Sequence, residues 1–276
     1  MSKAYLEPNA INWSRRSQWS GSELRGRLEK HRLEPHFGIH GIYELARGLR
    51  SESKADAIDN FTILSDLDPI IGPTPEMLFA MGLDRLRTGA AVIPILDELN
   101  RASAKQQILR MASGNLEAAG REFLARRQEA IAGDYPSYRA NQLRQLQSVL
   151  AAGTKRPATF EAALARFDPH VPGILRQILG RGLTNIESVI LHERLDQFPA
   201  LRSTVRANLY LWAVPLVSGG PGASIDKSDD YRHVIEASYC DVFITGDKQL
   251  ARSVPRLHPE LQVLTWQALE AAYSLR

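Results

Sequence analysis

The sequence predicts an α/β protein in which short strands alternate with helices and a long helical block interrupts the alternation. Short apolar runs with the β-branched and aromatic side chains of buried strands lie near both ends of the chain. Between about residues 83 and 215, in contrast, the apolar residues recur at helical spacing. The strand–helix alternation resumes at Asp230, after the glycine-rich run 219–222.

Five segments have the composition of short strands, and helices are expected between them. The expected strands are 3–6, 37–39, 69–71, 242–244 and 261–264. The first expected helices are 22–30, 43–50 and 55–66. Another helix is expected to begin at Thr74, since a threonine N-cap followed by Pro75 is typical of a helix N-terminus. Helices that alternate with short strands indicate an α/β sheet protein.

The simplest domain organisation is a discontinuous α/β domain, residues 1–82 plus 216–276, with a helical insertion at 83–215. The insertion has 18 Lys and Arg against 12 Asp and Glu, a net charge of +6, and the remainder of the chain has −3. Sixteen of those 18 basic residues are arginine, whose side chain suits bidentate phosphate contacts. The block either contacts phosphates or simply carries arginine on solvated helix faces.

Composition and missing motifs exclude several classes of protein. The 44% apolar and 24% charged content is typical of a globular protein, and no apolar run is long enough to span a membrane. Cys240 is the only cysteine, which excludes an internal disulfide and favours a reducing, cytoplasmic location. The sequence contains no P-loop, nucleophile elbow or zinc-type Cys/His spacing, and no secretory leader is expected.

Two aspartates frame the most informative stretch, residues 230–250. Asp247 follows the strand 242–244 at its C-terminal end, where open α/β sheets bind their ligands. Asp230 lies 17 residues earlier, where the sequence places the start of a helix. Two carboxylates at one edge of a sheet favour a site for a hard divalent cation. Asp247 is alternatively a simple helix N-cap, and the auxiliary or competing acids beside Asp230 are Asp226 and Asp229.

Four segments of the chain, in order, resemble PIN domains. They are Tyr5-Leu6-Glu7-Pro8-Asn9, Ile42-Tyr43-Glu44-Leu45, Asp230-Tyr231-Arg232-His233 and Asp241-Val242-Phe243-Ile244-Thr245-Gly246-Asp247-Lys248. The resemblance covers about residues 1–80 and 225–276, and the helical block has no counterpart. It implies a Rossmann-like parallel sheet of about five strands flanked by helices. It also implies a Mg²⁺- or Mn²⁺-dependent nuclease acting on RNA, in many bacterial cases a toxin with a cognate antitoxin as partner.

The resemblance implies catalytic and metal-binding roles for one acid in each segment. These acids are Glu7, Glu44, Asp230 and Asp247, and the residues expected to orient ligands or waters by hydrogen bonds are Asn9 and Thr245. The family usually has aspartate where Glu7 stands. The added methylene moves the carboxylate by about one bond length, which Mg²⁺ geometry tolerates poorly, so the site is either adjusted or degenerate.

Three functions are consistent with these residues. The first is a metal-dependent endoribonuclease, in which the helical block holds the substrate or mediates self-association. The second is a catalytically degenerate PIN scaffold that binds nucleic acid or a partner protein, and the third is a structure-specific DNA nuclease. His40 and His233 are expected to be structural, although His40 precedes Glu44 by four residues and could reach a scissile phosphate.

Overall fold

A computed structural model describes residues 1–118, 120–122, 124–126, 157–218 and 225–274 of the chain. The strands are β1 (Ser2–Leu6), β2 (Leu33–Gly38), β3 (Ile70–Gly72), β4 (Val242–Thr245) and β5 (Gln262–Thr265). The helices are α1 (Pro8–Arg16), α2 (Gly21–Lys30), α3 (Ile39–Arg47), α4 (Lys54–Leu67), α5 (Pro75–Thr88), α6 (Glu98–Ala112), α7 (Phe160–Phe167), α8 (Val171–Leu179), α9 (Asn185–Glu193), α10 (Pro199–Ser218), α11 (Ile225–Glu236), α12 (Lys248–Leu257) and α13 (Trp266–Ser274).

The five strands form one parallel sheet in the order β3-β2-β1-β4-β5. This confirms the α/β class and the Rossmann-like parallel sheet of five strands flanked by helices. Tyr5 of β1 is paired with His36 on one side and with Phe243 on the other. The strand order reverses between β1 and β4, and such a switch point is where open α/β sheets bind ligands, at the carboxyl ends of the strands.

The second strand differs from its expected position. It begins at Leu33 and ends at Gly38, so that Ile39, expected in the strand, opens α3 instead. Pro35 lies inside the strand, where it removes a hydrogen-bond donor. The strand tolerates it because β3 pairs with β2 only from His36 onward, which leaves Pro35 at a free edge on that side.

Helices bury both faces of the sheet, as a parallel sheet requires. Side chains alternate along β1, so that Ala4 and Leu6 join the core formed with α1 to α4 and α6. Tyr5 points to the opposite face and joins the core formed with α10, α11 and α12. The site described below lies where α3, from the first face, approaches α11, from the second.

The described part of the block 83–215 is mainly helical, as the spacing predicts. Helices α7 to α10 pack around an apolar core of their own, joined by side chains of α5. Other parts of the block join the sheet: α6 adds Ile108 and Met111 to one sheet core, and α10 adds Leu211 to the other. Both boundaries of the expected insertion fall inside helices, α5 and α10. The division into domain and insertion therefore stays an interpretation.

Two further expectations concern the glycine-rich run and membrane-spanning helices. The glycine-rich run 219–222 lies outside the described residues. Among the helices that are described, none combines the length and the apolar character needed to cross a bilayer.

Candidate active site

The carboxyl ends of β1, β2 and β4 meet at one edge of the sheet and position the candidate site. Glu7 follows β1 directly, and its backbone N–H donates to the Ile244 carbonyl of β4 (3.0 Å). The Glu7 side chain is only 1% exposed. Thr245 ends β4 and is fully buried beside it. The first and fourth of the predicted segments are therefore adjacent at the switch point.

A short chain of hydrogen bonds joins Asp247 to Glu7. The Asp247 backbone N–H donates to Thr245 Oγ1 (2.9 Å), and the Thr245 hydroxyl donates to Glu7 Oε2 (3.1 Å). Burial raises the pKa of Glu7 to about 7, and the Glu44 carboxylate adds to the rise, against the lowering effects of His233, the Asn9 backbone and Thr245. Thr245 thus holds the Glu7 carboxylate by a hydrogen bond, and the nearby Asn9 N–H only moderates its pKa.

The Asp247 carboxylate caps α12. Its Oδ1 accepts hydrogen bonds from the backbone N–H groups of Gln249 (2.6 Å) and Leu250 (2.9 Å). This is the ordinary task of an N-cap aspartate. Both of these hydrogen bonds use the same oxygen, Oδ1. A metal-binding role for Asp247 stays a prediction.

Glu44 lies in the middle of α3 because that helix begins directly after β2, earlier than expected. The side chains of His40 and Glu44 share a helix face, since they are four residues apart. Glu44 Oε2 lies 2.7 Å from Nε2 of His233, which comes from α11. Burial opposes ionisation of Glu44, but its hydrogen bond with His233, the charge of that imidazole and Arg47 lower the pKa below the usual value.

His233 is the buried centre of the site, with no exposed surface. Its Nδ1 lies 2.9 Å from the Tyr5 hydroxyl oxygen, and that hydroxyl donates to Glu236 Oε2 (2.7 Å). Since the single hydroxyl proton goes to Glu236, Nδ1 of His233 donates to Tyr5 while Nε2 donates to Glu44. Burial lowers the pKa of His233, but Glu44, Glu7 and Glu236 outweigh it and raise the pKa to about 9. His233 is therefore an imidazolium at neutral pH.

Glu236 connects the two sides of the site. Besides accepting from Tyr5, it accepts from the backbone N–H of His40 through Oε1 (2.9 Å). Burial raises the pKa of Glu236 to about 7, although His233, the His40 N–H and the Tyr5 hydroxyl favour its ionised form. The close approach depends on Gly38, since a Cβ there would lie 1.8 Å from Glu236 Oε2.

Sequence reasoning assigned His233 to structure alone and overlooked Glu236. The sequence does contain a signal, because Asp229, His233 and Glu236 are four and three residues apart and share one face of a helix. Asp229 Oδ1 lies 4.0 Å from Nε2 of His40, and Asp229 Oδ2 lies 3.9 Å from an Arg47 nitrogen. Asp229, expected as an auxiliary acid, therefore lies against the α3 face that carries Glu44.

Asp230 does not start its helix, contrary to the expectation. Helix α11 begins at Ile225, so Asp230 is its sixth residue. Asp230 is about 100° around the helix from Asp229, but it precedes His233 by three residues, so helix geometry alone does not separate it from the face that carries His233. Its role as a ligand stays a prediction. The side chain of Asp226, the other auxiliary acid, is outside the described residues.

No protein-family model, no curated protein and no solved structure matches the chain. The resemblance to PIN domains therefore depends on the four sequence motifs alone.

Three side chains of the site fit a divalent ion. One ligand atom each from His40, Glu44 and His233 lies within 4.8 Å of the others. The set offers two imidazole nitrogens and one carboxylate, whereas the expected set of four acids offers oxygen alone. Of those four acids, Glu7 and Glu44 are close enough for each to influence His233, and Glu44 also raises the pKa of Glu7.

Proposed function

We propose that the protein is a metal-dependent nuclease that hydrolyses phosphodiester bonds in RNA. The observation that carries the proposal is the meeting of Glu7 and Glu44 with His40 and His233 at the carboxyl edge of the sheet, beside the switch point. Active sites of α/β proteins lie at such edges. The four motifs that resemble PIN domains supply the substrate class, and the arginine excess of the block 83–215 agrees with an anionic substrate.

Glu44, His40 and His233 are the residues that would hold the ion in this proposal. A bound divalent ion polarises a phosphoryl oxygen and lowers the pKa of a water molecule. Glu7 accepts the proton of the attacking water, because a carboxyl group with a pKa of about 7 is suited to take and release protons at neutral pH. Thr245 keeps the Glu7 carboxylate in one orientation.

Arg47 is the residue that contacts the phosphodiester. It lies on the face of α3 that carries His40 and Glu44, and its side chain is 52% exposed. A guanidinium group binds two phosphate oxygens at once. Replacing Arg47 with glutamine is expected to raise KM for RNA more than it lowers kcat.

The test is cleavage of single-stranded RNA by the full chain with Mn²⁺ or Mg²⁺. Glu44→Gln and Glu7→Gln are expected to abolish cleavage, because both substitutions keep shape and remove charge. Glu52→Gln is the matched control, since Glu52 is exposed in the turn before α4. A parallel reaction with DNA tests the substrate class. If the protein cleaves DNA and not RNA, the substrate is DNA. Absence of any metal-dependent cleavage of either polymer overturns the proposal.

A second candidate function is a non-catalytic scaffold that binds nucleic acid or a partner protein. The observation in its favour is the His233 imidazolium, which already offsets the charge of Glu44 and lies close to Glu7 and Glu236. A site whose charges are balanced in this way needs no ion for its stability. The scaffold predicts RNA binding that weakens with salt, no turnover, and unchanged binding in Glu44→Gln.

A further inference from the structure

The candidate site differs from an all-oxygen magnesium site in the identity of its ligand atoms. Mg²⁺ prefers oxygen ligands in octahedral geometry and keeps several waters. Imidazole suits Zn²⁺, Co²⁺ and related ions of the first transition series. Two of the three clustered ligand atoms come from imidazoles, His40 and His233. The chemistry of the site therefore favours an ion that accepts nitrogen.

The three ligands are already close to the spacing that such an ion requires. Zn–N bonds of about 2.0–2.1 Å in a tetrahedral site place neighbouring ligand atoms about 3.4 Å apart. Nε2 of His233 and Oε2 of Glu44 are 2.7 Å apart, and all three ligand atoms lie within 4.8 Å of one another. The rings of His40 and His233 have centroids 4.9 Å apart. Side-chain adjustments of about an ångström bring the atoms around one ion.

The orientation of the His233 ring is fixed by the hydrogen bond of its Nδ1, the nitrogen that does not face Glu44, as in metal-binding histidines. A ligating histidine almost always donates its second ring N–H to an oxygen acceptor, which fixes the tautomer and the ring plane. In this protein Nδ1 donates to the Tyr5 hydroxyl oxygen, which is polarised because the hydroxyl in turn donates a hydrogen bond to Glu236. Nε2 is thereby directed towards Glu44, and the proton that it donates to Glu44 in the metal-free protein is released to solvent when an ion binds between them.

The same Glu236 also positions His40. Its Oε1 accepts the backbone N–H of His40, while its Oε2 accepts from Tyr5. One buried carboxylate therefore holds the helix segment that carries the first imidazole and the hydroxyl that orients the second. Gly38 provides the space, since a Cβ at that position would collide with Glu236.

We infer that His40, Glu44 and His233 form a binding site for a nitrogen-accepting transition-metal ion of the Zn²⁺ or Co²⁺ class, with Tyr5 and Glu236 as positioning residues. The site discriminates against Mg²⁺. The inference rests on the proposed function, because it names the class of ion that the same site takes.

Co²⁺ is used as the probe, because Co²⁺ bound by imidazole and carboxylate absorbs visible light. Binding can therefore be measured without any enzymatic activity. The full chain is freed of metal with a chelator and titrated with Co²⁺. The expected result is one equivalent of bound Co²⁺, displaced by Zn²⁺ but retained in a large excess of Mg²⁺. An absent cobalt spectrum, or displacement by equimolar Mg²⁺, overturns the inference.

Two substitutions locate the ion. His40→Asn is expected to weaken Co²⁺ binding at least about 10-fold, and Tyr5→Phe about 10- to 100-fold, as for other residues that orient a ligand. Their matched controls are His170→Asn, at an exposed histidine, and Tyr210→Phe, at a tyrosine whose hydroxyl accepts a hydrogen bond from Arg256; both are expected to keep wild-type binding. Equal affinity in His40→Asn and the wild type overturns the site. If either site variant fails to fold, X-ray absorption of the cobalt-loaded wild type gives the number of imidazole ligands. A number below two overturns the proposed site.

The outcome also separates this inference from the proposed function. Cobalt bound by His40 and His233 without cleavage of any nucleic acid contradicts the nuclease and leaves the metal site in place. Cleavage that requires Mg²⁺, in a protein whose Co²⁺ spectrum contains no imidazole ligands, contradicts the metal site and leaves the nuclease in place.

Discussion

His233 is surrounded by three carboxylates, and this single side chain determines the charge of the candidate site. Both of its ring nitrogens donate hydrogen bonds, to Tyr5 and to Glu44. Glu7 and Glu236 add their charges and keep the proton on the ring to about pH 9. A buried cation is stable only when it is paired in this way, so the imidazolium and its carboxylates stabilise one another.

The first prediction follows from the direction of these pKa shifts. The folded protein keeps the His233 proton to about pH 9, whereas the unfolded chain releases it near pH 6.5. Glu7 and Glu236 likewise keep protons to about pH 7 in the folded state, against 4.5 in the unfolded chain. Burial lowers the pKa of His258 to about 4, which has the opposite effect, but only below about pH 6.5. Above that pH the raised groups dominate, so the free energy of unfolding is expected to decrease as pH rises from about 6.5 to 9.

Urea denaturation in a chelating buffer measures this dependence. The His233 share, lost between pH 6.5 and 9, is of the order of 3 kcal/mol. NMR of the His233 imidazole reports the same event directly, as a proton lost near pH 9 in the folded protein. An unfolding free energy that rises between pH 7 and 9, or an imidazole that titrates below pH 7, contradicts the prediction.

At the scale of the element, the junction of β2 with α3 makes the site possible. The strand ends at Gly38 and the helix begins at the next residue, so His40 reaches Glu236 through its backbone N–H. Glycine is required at this junction because there is no space for a side chain. Its backbone conformation does not require glycine, since its φ is that of an ordinary extended residue. Any side chain there would enter the volume of Glu236 and the Tyr5 hydroxyl.

The second prediction compares two glycines. Gly38→Ala is expected to destabilise the protein by about 1–3 kcal/mol, since the added Cβ overpacks a buried hydrogen-bonded group. Gly26→Ala is the control, because Gly26 lies inside α2 with open space around its Cβ position. This control is expected to stabilise the protein by about 0.5–1 kcal/mol through helix propensity. Thermal denaturation of both variants tests the difference, and equal effects would contradict it.

The third prediction separates the capping role of Asp247 from a role in chemistry. Asp247→Ala removes the acceptor for two backbone N–H groups and is expected to cost about 0.5–2 kcal/mol. Asp247→Asn keeps an acceptor oxygen and is expected to retain nearly all of the stability. If Asp247→Asn nevertheless abolishes RNA cleavage, the carboxylate acts on the substrate or ion; if cleavage persists, the residue is a cap.

At the scale of the whole molecule, α10 joins the helical region to the sheet. Its first half packs into the helical core through Leu201 and Val205, and Leu211 packs against the sheet. The fourth prediction is that the molecule unfolds in one transition. Far-UV circular dichroism, which reports all helices, is expected to coincide with tryptophan fluorescence in a Trp212→Phe variant, whose remaining tryptophans, Trp13, Trp19 and Trp266, lie in or against the sheet core. Two separate transitions would show instead that residues 83–215 fold independently.

The local patterns of the chain predict much of the fold. Five apolar runs mark the five strands to within a few residues, because buried strands need β-branched and aromatic side chains. Thr74 and Pro75 mark the start of α5, since capping is decided by adjacent residues. The local patterns do not give the strand order, however, and it is the pairing of β1 with β4 that brings Glu7 beside Thr245.

The arrangement of the site depends on tertiary packing. The sequence determines that Glu7 and Glu44 follow successive strands, and that Asp247 lies at a helix start. Only the packing of α11 against α3 decides that Asp229, His233 and Glu236 face that edge. The periodicity of a helix can be read from the sequence. The face that α11 turns towards β1, which lies some 230 residues earlier, is set by the packing of the whole core.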